Sequence, residues 1–191
     1  MSRPEPSASS AVGDLGVGIR HARADELPAL ARLERKADRA FASVGLTVVS
    51  RAPAPSPQEY EPALTAGRLL VAVADGGAVA GFVRIDIVDG TAHLHQVSVA
   101  PRHGGRGLGR ALVAAAERWA VRHGHRRLTL TTYRDVPWNG PFYARLGYVV
   151  LQPDALGPGL RALRDRERAD GLEVRPRQAM VKELDVPGGP S

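Results

Sequence analysis

The sequence predicts a mixed α/β domain, a central and mostly antiparallel sheet of about seven strands with helices packed against it. Three observations predict it. Residues 93–124, HLHQVSVAPRHGGRGLGRALVAAAERWAVRHG, run from an alternating β-branched stretch through a glycine-rich turn into a long amphipathic helix. Before them, Asp75-Gly76-Gly77 and Asp89-Gly90 separate three strand-like runs, the pattern of an antiparallel meander. After them come a Thr- and Leu-rich strand, a short helix and two further strands, with no internal repeat and no second domain.

Residues 1–14 are rich in Ser, Pro and Gly and read as a disordered leader, so one domain is expected over residues 15–186. Residues 17–21 form a short strand. A helix is expected over 24–41: Asp25 and Glu26 favour its first turn, and Leu27, Leu30, Leu33 and Ala37 keep helical spacing. The connection over 42–57 is long and carries Pro53, Pro55 and Pro57; such connections are functional or loose. A short helix over 58–66 places Glu59, Tyr60 and Glu61 beside it. Strands follow over 68–74, 78–88 and 93–99, the last ended by Pro101, which cannot donate to a ladder. Gly104, Gly105, Gly107 and Gly109 free the backbone for unusual dihedrals. Leu108, Leu112, Ala115, Ala116 and Trp119 then mark one face of a helix that Gly124 stops. The remaining elements are a strand over 127–133, a short helix over 139–146, a strand over 148–152, an Arg-rich helix over 158–171 and a strand over 178–184. In the Arg-rich helix, Leu160 and Leu163 are the expected buried positions.

Composition removes several classes. The chain has no cysteine, which excludes disulfides, thiolate metal sites and a covalent acyl-cysteine. Its first residues lack an apolar signal-peptide core, and the longest apolar run, 69–74, is far too short for a bilayer. A cytoplasmic protein with no membrane partner is expected. The net charge of +6 comes almost wholly from arginines spread along every segment, without a lysine-rich tail or interleaved aromatics. That distribution argues against a nucleic-acid partner.

A glycine turn feeding a helix N-terminus gathers unpaired N–H groups and the positive end of the helix dipole at one spot, an anion site suited to phosphate. Arg106 and Arg110 flank it. No Gly-Lys-Ser/Thr triplet is present, and G-x-G-x-x-G fails at Arg110 and at Leu112, so neither the mononucleotide nor the dinucleotide motif fits. What remains is Val97-x-Val99-x-Pro101, four residues, then Gly107-Leu108-Gly109 and an amphipathic helix. Downstream stands Asn139-Gly-Pro-Phe142-Tyr143-Ala-Arg-Leu146-Gly147-Tyr148. Together these resemble the pyrophosphate-binding segment and the N…FYxxLGF segment of the GNAT superfamily of N-acetyltransferases. The resemblance covers residues 68–150 well and the N-terminal part only in pattern.

The resemblance implies a sheet splayed between its fourth and fifth strands and acetyl-CoA as cosubstrate. Its pantetheine arm would lie along Val97, Ser98 and Val99, and its diphosphate against Gly104, Gly105, Arg106, Gly107, Leu108, Gly109 and Arg110. Asn139 and Tyr143 would complete the binding set. Tyr143 matches the family's general acid beside the CoA sulfur. Ser98 reads as a strand-filling serine, since no nucleophile elbow surrounds it. The family often carries a glutamate base on the central strand or the next, but here those positions hold His95, Gln96 and Thr131. His93 and His95 share one face of the strand by its period of two. Histidine side chains titrate near neutral pH, so His95 is the candidate base. A structural histidine, a two-histidine metal pair and a water chain remain as alternatives, and no metal is expected. Where the family usually has Gln or Arg the chain has Gly104, and Arg102 or Arg106 is placed to substitute. Asn139 stands closer to the tyrosine than the family's asparagine, and the alternative for it is a helix cap.

The expected activity is acetyl transfer from acetyl-CoA to a primary amine of a small molecule, by direct attack, in a monomer or homodimer. Acidic residues at the mouth, from among Glu34, Asp38, Glu59, Glu61 and Asp86, would favour a cationic amine. The alternatives are a protein N-terminal or lysine acetyltransferase and a non-catalytic acyl-CoA sensor. The helix over 158–171 departs from the family pattern and reads as a packing element whose arginine stems cover apolar surface.

Overall fold

The computed structural model describes residues 10–12, 17–74 and 76–185. Eight strands form one sheet in the order β1-β2-β3-β4-β5-β6-β8-β7. They are β1 (Ser10–Val12), β2 (Val17–His21), β3 (Leu69–Val73), β4 (Val79–Val88), β5 (Thr91–Val99), β6 (Arg127–Tyr133), β7 (Val149–Val150) and β8 (Arg177–Glu183). The helices are α1 (Leu27–Asp38), α2 (Thr47–Ser50), α3 (Glu61–Thr65), α4 (Leu108–Arg122), α5 (Gly140–Arg145) and α6 (Pro158–Ala169). All strand pairs are antiparallel except β5 with β6. The seven expected strands are present. The eighth, β1, pairs with β2 from inside the expected disordered leader; the rest of that leader, 1–9 and 13–14, lies outside the described residues, as does Asp75 of the first hairpin turn.

The sheet has two differently covered faces. Leu70, Ala72, Val83, Ile85, Ala92, Leu94, Leu128, Leu130 and Met180 meet the buried side of α4, from Leu108 to Ala120, in one apolar cluster. Leu69, Val71 and Phe82 meet Leu27, Leu30, Ala31, Leu33 and Tyr60 of α1 and the turn before α3 in another. Alternation explains the split, because neighbours in a strand point to opposite faces. The 42–57 connection is not loose: Phe41, Val44, Leu46 and Val49 close a third cluster with Tyr133 and Val136 at the end of β6.

Two irregularities position the site. Pairing of β5 with β6 covers only Ala92–Leu94 and Leu128–Leu130, although the strands run on to Val99 and Tyr133. The sheet therefore splits beside the second half of β5. The second irregularity is a β-bulge: Arg84 faces Gln96 but Ile85 faces Leu94, so His95 is the extra residue. The bulge resets the alternation. His93 and Ser98 lie on the α1 face, whereas Val97 and Val99 pack on the α4 cluster.

The extra helix α6 does not bury the expected apolar stripe. Leu160 is buried and Leu163 only half-buried, while the most enclosed polar positions are Arg164 and Glu167. Glu167 accepts from Thr131 Oγ1, and bonds Arg164 Nη1 and Arg177 Nη2 at 2.5 and 2.8 Å. Arg164 also holds Glu173 at 2.8 Å. A polar network, not arginine stems over apolar surface, thus fastens α6 to β6 and β8. The other end of α6 is tied by Asp89 of the β4–β5 turn, whose carboxylate accepts from the N–H of Gly159 and Leu160 at 2.7 and 3.0 Å. Gly157 and Gly159 leave room for it, since a Cβ at either would collide with that carboxylate. Asp89→Ala is expected to cost about 1–2 kcal/mol by uncapping the helix, read as a lower urea midpoint at unchanged slope.

Candidate active site

The glycine turn and the FY segment meet at one point. A Cβ built at Gly109 would sit 3.6 Å from Phe142 Cζ and 3.9 Å from Val99 Cγ2, ordinary contact distances, so the start of α4, α5 and the end of β5 come together at this residue. After a short turn over Pro101–His103, Gly104 is extended and Gly105 and Gly107 take φ of 72° and 81°, a region costly for side chains with a Cβ. Gly107 is also the N-cap of α4 and offers no side-chain cap. The first helical bond runs from the Ala111 N–H to Gly107 O. The N–H groups of residues 105–110 consequently lack protein acceptors among the described residues. Leu108 is buried and anchors the turn, while the side chains of Arg106 and Arg110 are on the outside. Arg102 turns its Nε to His103 Nε2 at 3.0 Å. This arrangement suits an anion such as a diphosphate, because six consecutive N–H donors without protein acceptors run into the positive end of a helix dipole.

Along the split, the Ala100 N–H is taken by Ala80 O. By the alternation of the pleat, the N–H groups of Val97 and Val99 then face the gap toward β6. Ser98 turns its side chain to the opposite face, buried and accepting from Gln96 Nε2 at 2.9 Å. Tyr143 is half-buried on α5, its ring 5.1 Å from Phe142 and 5.7 Å from Tyr148. Burial pushes its phenol well above the ordinary value, so the proton stays on at neutral pH. Asn139 occupies the N-cap position of α5, yet its side chain makes no cap bond; Nδ2 donates to Trp138 O at 3.1 Å. Its carbonyl accepts from the Tyr143 N–H instead.

On the other face the two histidines part company. His93 is 1% exposed and its Nδ1 is 2.9 Å from Thr129 Oγ1, a link between β5 and β6 just where they diverge. Burial, with His95 nearby, brings its pKa down to about 4, so it is neutral at physiological pH. His95 is exposed, and its Nδ1 lies 3.1 Å from Asp86 Oδ2. Asp86 in turn takes Nε and Nη2 of Arg84 at 3.1 and 3.0 Å. Burial works against its charge, but His95 and Arg84 outweigh it and hold the carboxyl below the usual carboxylate range. Among the described residues no group of His, Cys, Asp and Glu is arranged to hold a metal ion.

Sequence reasoning did not assemble what α1 adds here. Glu34 accepts from the buried Tyr60 hydroxyl at 2.7 Å, and burial pushes its pKa up. One turn on, burial and Glu34 push Asp38 up to about 7. Glu34 and Asp38 are four apart on the face that carries Leu27, Leu30 and Leu33, a polar pair on an otherwise apolar stripe that could have been noticed. Glu34 also lies within electrostatic reach of His95 and Arg84, the partners of Asp86, while Arg164 and Glu167 of α6 pair with each other and with Glu173 and Arg177. Glu61 has no part in these contacts.

Residues 30–148, more than half of the chain, match the model of the acetyltransferase (GNAT) family. The chain belongs to this family. As a GNAT acetyltransferase it also shares the fold of distant solved structures. One is N-acetylglutamate synthase of Neisseria gonorrhoeae with coenzyme A and N-acetyl-glutamate: 20% identity, TM-score 0.66, 88% of this chain and 35% of that one. This chain thus spans about a third of that protein. The PaiA N-acetyltransferase of Thermoplasma acidophilum with coenzyme A gives 17% identity, TM-score 0.61, and 88% and 99% coverage. The ribosomal-protein-S18-alanine N-acetyltransferase of Escherichia coli gives 18%, 0.63, and 92% and 98%. No helix among the described residues is long and apolar enough to cross a membrane.

Proposed function

We propose that this acetyltransferase moves the acetyl group of acetyl-CoA to a primary amine of a small, cationic molecule by direct attack. The observation that carries this reading is the split beside Val97–Val99, with N–H donors and a protonated phenol on one face and a histidine among carboxylates on the other. Bound acetyl-CoA supplies an acyl group activated as a thioester. The N–H groups of residues 105–110, with Arg106 and Arg110, hold its diphosphate. The Val97 and Val99 N–H groups align the pantetheine and donate to the acyl oxygen as charge develops on it. Once the arriving ammonium has released one proton to solvent, His95 takes a second from the amine nitrogen as its lone pair forms the new N–C bond and the C–S bond breaks. Tyr143 gives its proton to the departing sulfur and recovers one from solvent, His95 releases to solvent the one it took, and the products are an amide and a thiol. No cysteine is present to carry the acetyl group between two half-reactions. Glu34 and Asp38 on α1 favour an acceptor that arrives positively charged.

Thiol release from acetyl-CoA, measured against amino sugars, polyamines, amino acids and peptides, tests the reading. Turnover is expected with a polyamine or amino sugar and not with acidic amino acids. Turnover confined to peptides would move the assignment to protein acetylation, and calorimetric binding of coenzyme A without any turnover would leave a sensor.

A further inference from the structure

We infer that Asp86 is a positioning residue for the transfer: its carboxylate, braced by Arg84, holds His95 with the proton on Nδ1, leaving Nε2 to take the proton of the incoming amine. This rests on His95 being the base. Arg84 and Asp86 are two apart on β4, on one face, and the guanidinium takes both carboxylate oxygens. Asp86 stands directly opposite His93 in the ladder, so the two side chains share the α1 face. His95, the bulged residue, also lies on this face, and its Nδ1 is 3.1 Å from Asp86 Oδ2.

An ionised carboxylate can only accept, so its partner nitrogen must carry the hydrogen. The other ring nitrogen then keeps its lone pair, and no described residue bonds it. When Nε2 takes a proton, the imidazolium forms against an anion already in place and no group has to turn. The charged and titratable groups around His95 are Asp86 and Arg84 from β4, His93 from β5 and Glu34 from α1. Of these only Asp86 touches the ring. His93 is committed to Thr129, and Glu34 to Tyr60.

The test combines spectroscopy with a double-variant cycle. In ¹⁵N NMR of the full chain with coenzyme A, the neutral ring of His95 is expected as the Nδ1–H tautomer. A dominant Nε2–H tautomer would overturn the inference without any variant being made. Turnover is then measured with acetyl-CoA and the fastest amine of the panel. Asp86→Asn is expected to lower kcat about 10–100-fold with little change in KM for acetyl-CoA, and Asp86→Glu to recover part of it. In a His95→Gln background, Asp86→Asn should cost nothing further, because both act through one proton transfer. An Asp86→Asn loss of equal size in that background would mean that Asp86 holds the fold or the acceptor, and would overturn the inference while leaving the base in place. Full turnover by His95→Gln would remove the base, and the role of Asp86 with it.

Discussion

Tyr143→Phe is expected to lower kcat by about 10²–10⁴-fold, the usual contribution of a positioned general acid, with the affinity for coenzyme A nearly unchanged. The ring packs against Phe142 and Tyr148, and phenylalanine keeps those contacts. Only the hydroxyl is lost. Burial is the cause that holds this phenol protonated, so the acid stays available well beyond neutral pH. Steady-state kinetics beside calorimetric titration with coenzyme A separates the two quantities. Equal losses in turnover and affinity would assign Tyr143 to binding and leave the thiolate to depart without an acid.

Glu167→Ala is expected to destabilise the fold by about 3–5 kcal/mol, because it leaves two enclosed guanidinium groups without their shared anion. Arg164 and Arg177 each have side chains only 11% exposed, and Glu167 is the partner common to both. Burial alone would raise the Glu167 pKa, but Arg177, Thr131 and Arg164 reverse this and bring it below its ordinary value of 4.5. A carboxylate depressed in the folded state stabilises above its unfolded pKa and loses that contribution as pH falls through the folded one. The difference in urea midpoint between wild type and Glu167→Ala should therefore be full at neutral pH and shrink below about pH 4.5. A constant difference down to pH 3 would show that packing, not charge, fixes α6.

Several features of the site were legible because their physics is local. Gly105 and Gly107 announce positive φ, and a helix that follows them at once must offer unpaired N–H groups whatever the rest of the chain does. The strand before them declares itself by alternation, and Phe142-Tyr143 by its place in a short run before Gly147. The split of the sheet was legible only through the family resemblance, since nothing in Arg127–Tyr133 alone says how far it will pair.

The acceptor side was not legible in the same way. A period of two cannot reveal an inserted residue, so HLHQVSVA looks continuous although the bulge at His95 sends the histidines to one face and the valines to the other. Glu167 meets Thr131 across 36 residues, and Tyr60 meets Glu34 across 26; no spacing rule reaches so far. The Arg-rich helix looked like arginine stems over apolar surface because sequence reveals charge, but not whether a charge finds its opposite inside. The chain by itself determined the order of elements, the anion-binding turn and the residue types available for proton transfer, since each follows from neighbours within a few positions. Only the tertiary structure decided which carboxylate faces which histidine, because that depends on register between strands and on how the helices close over them.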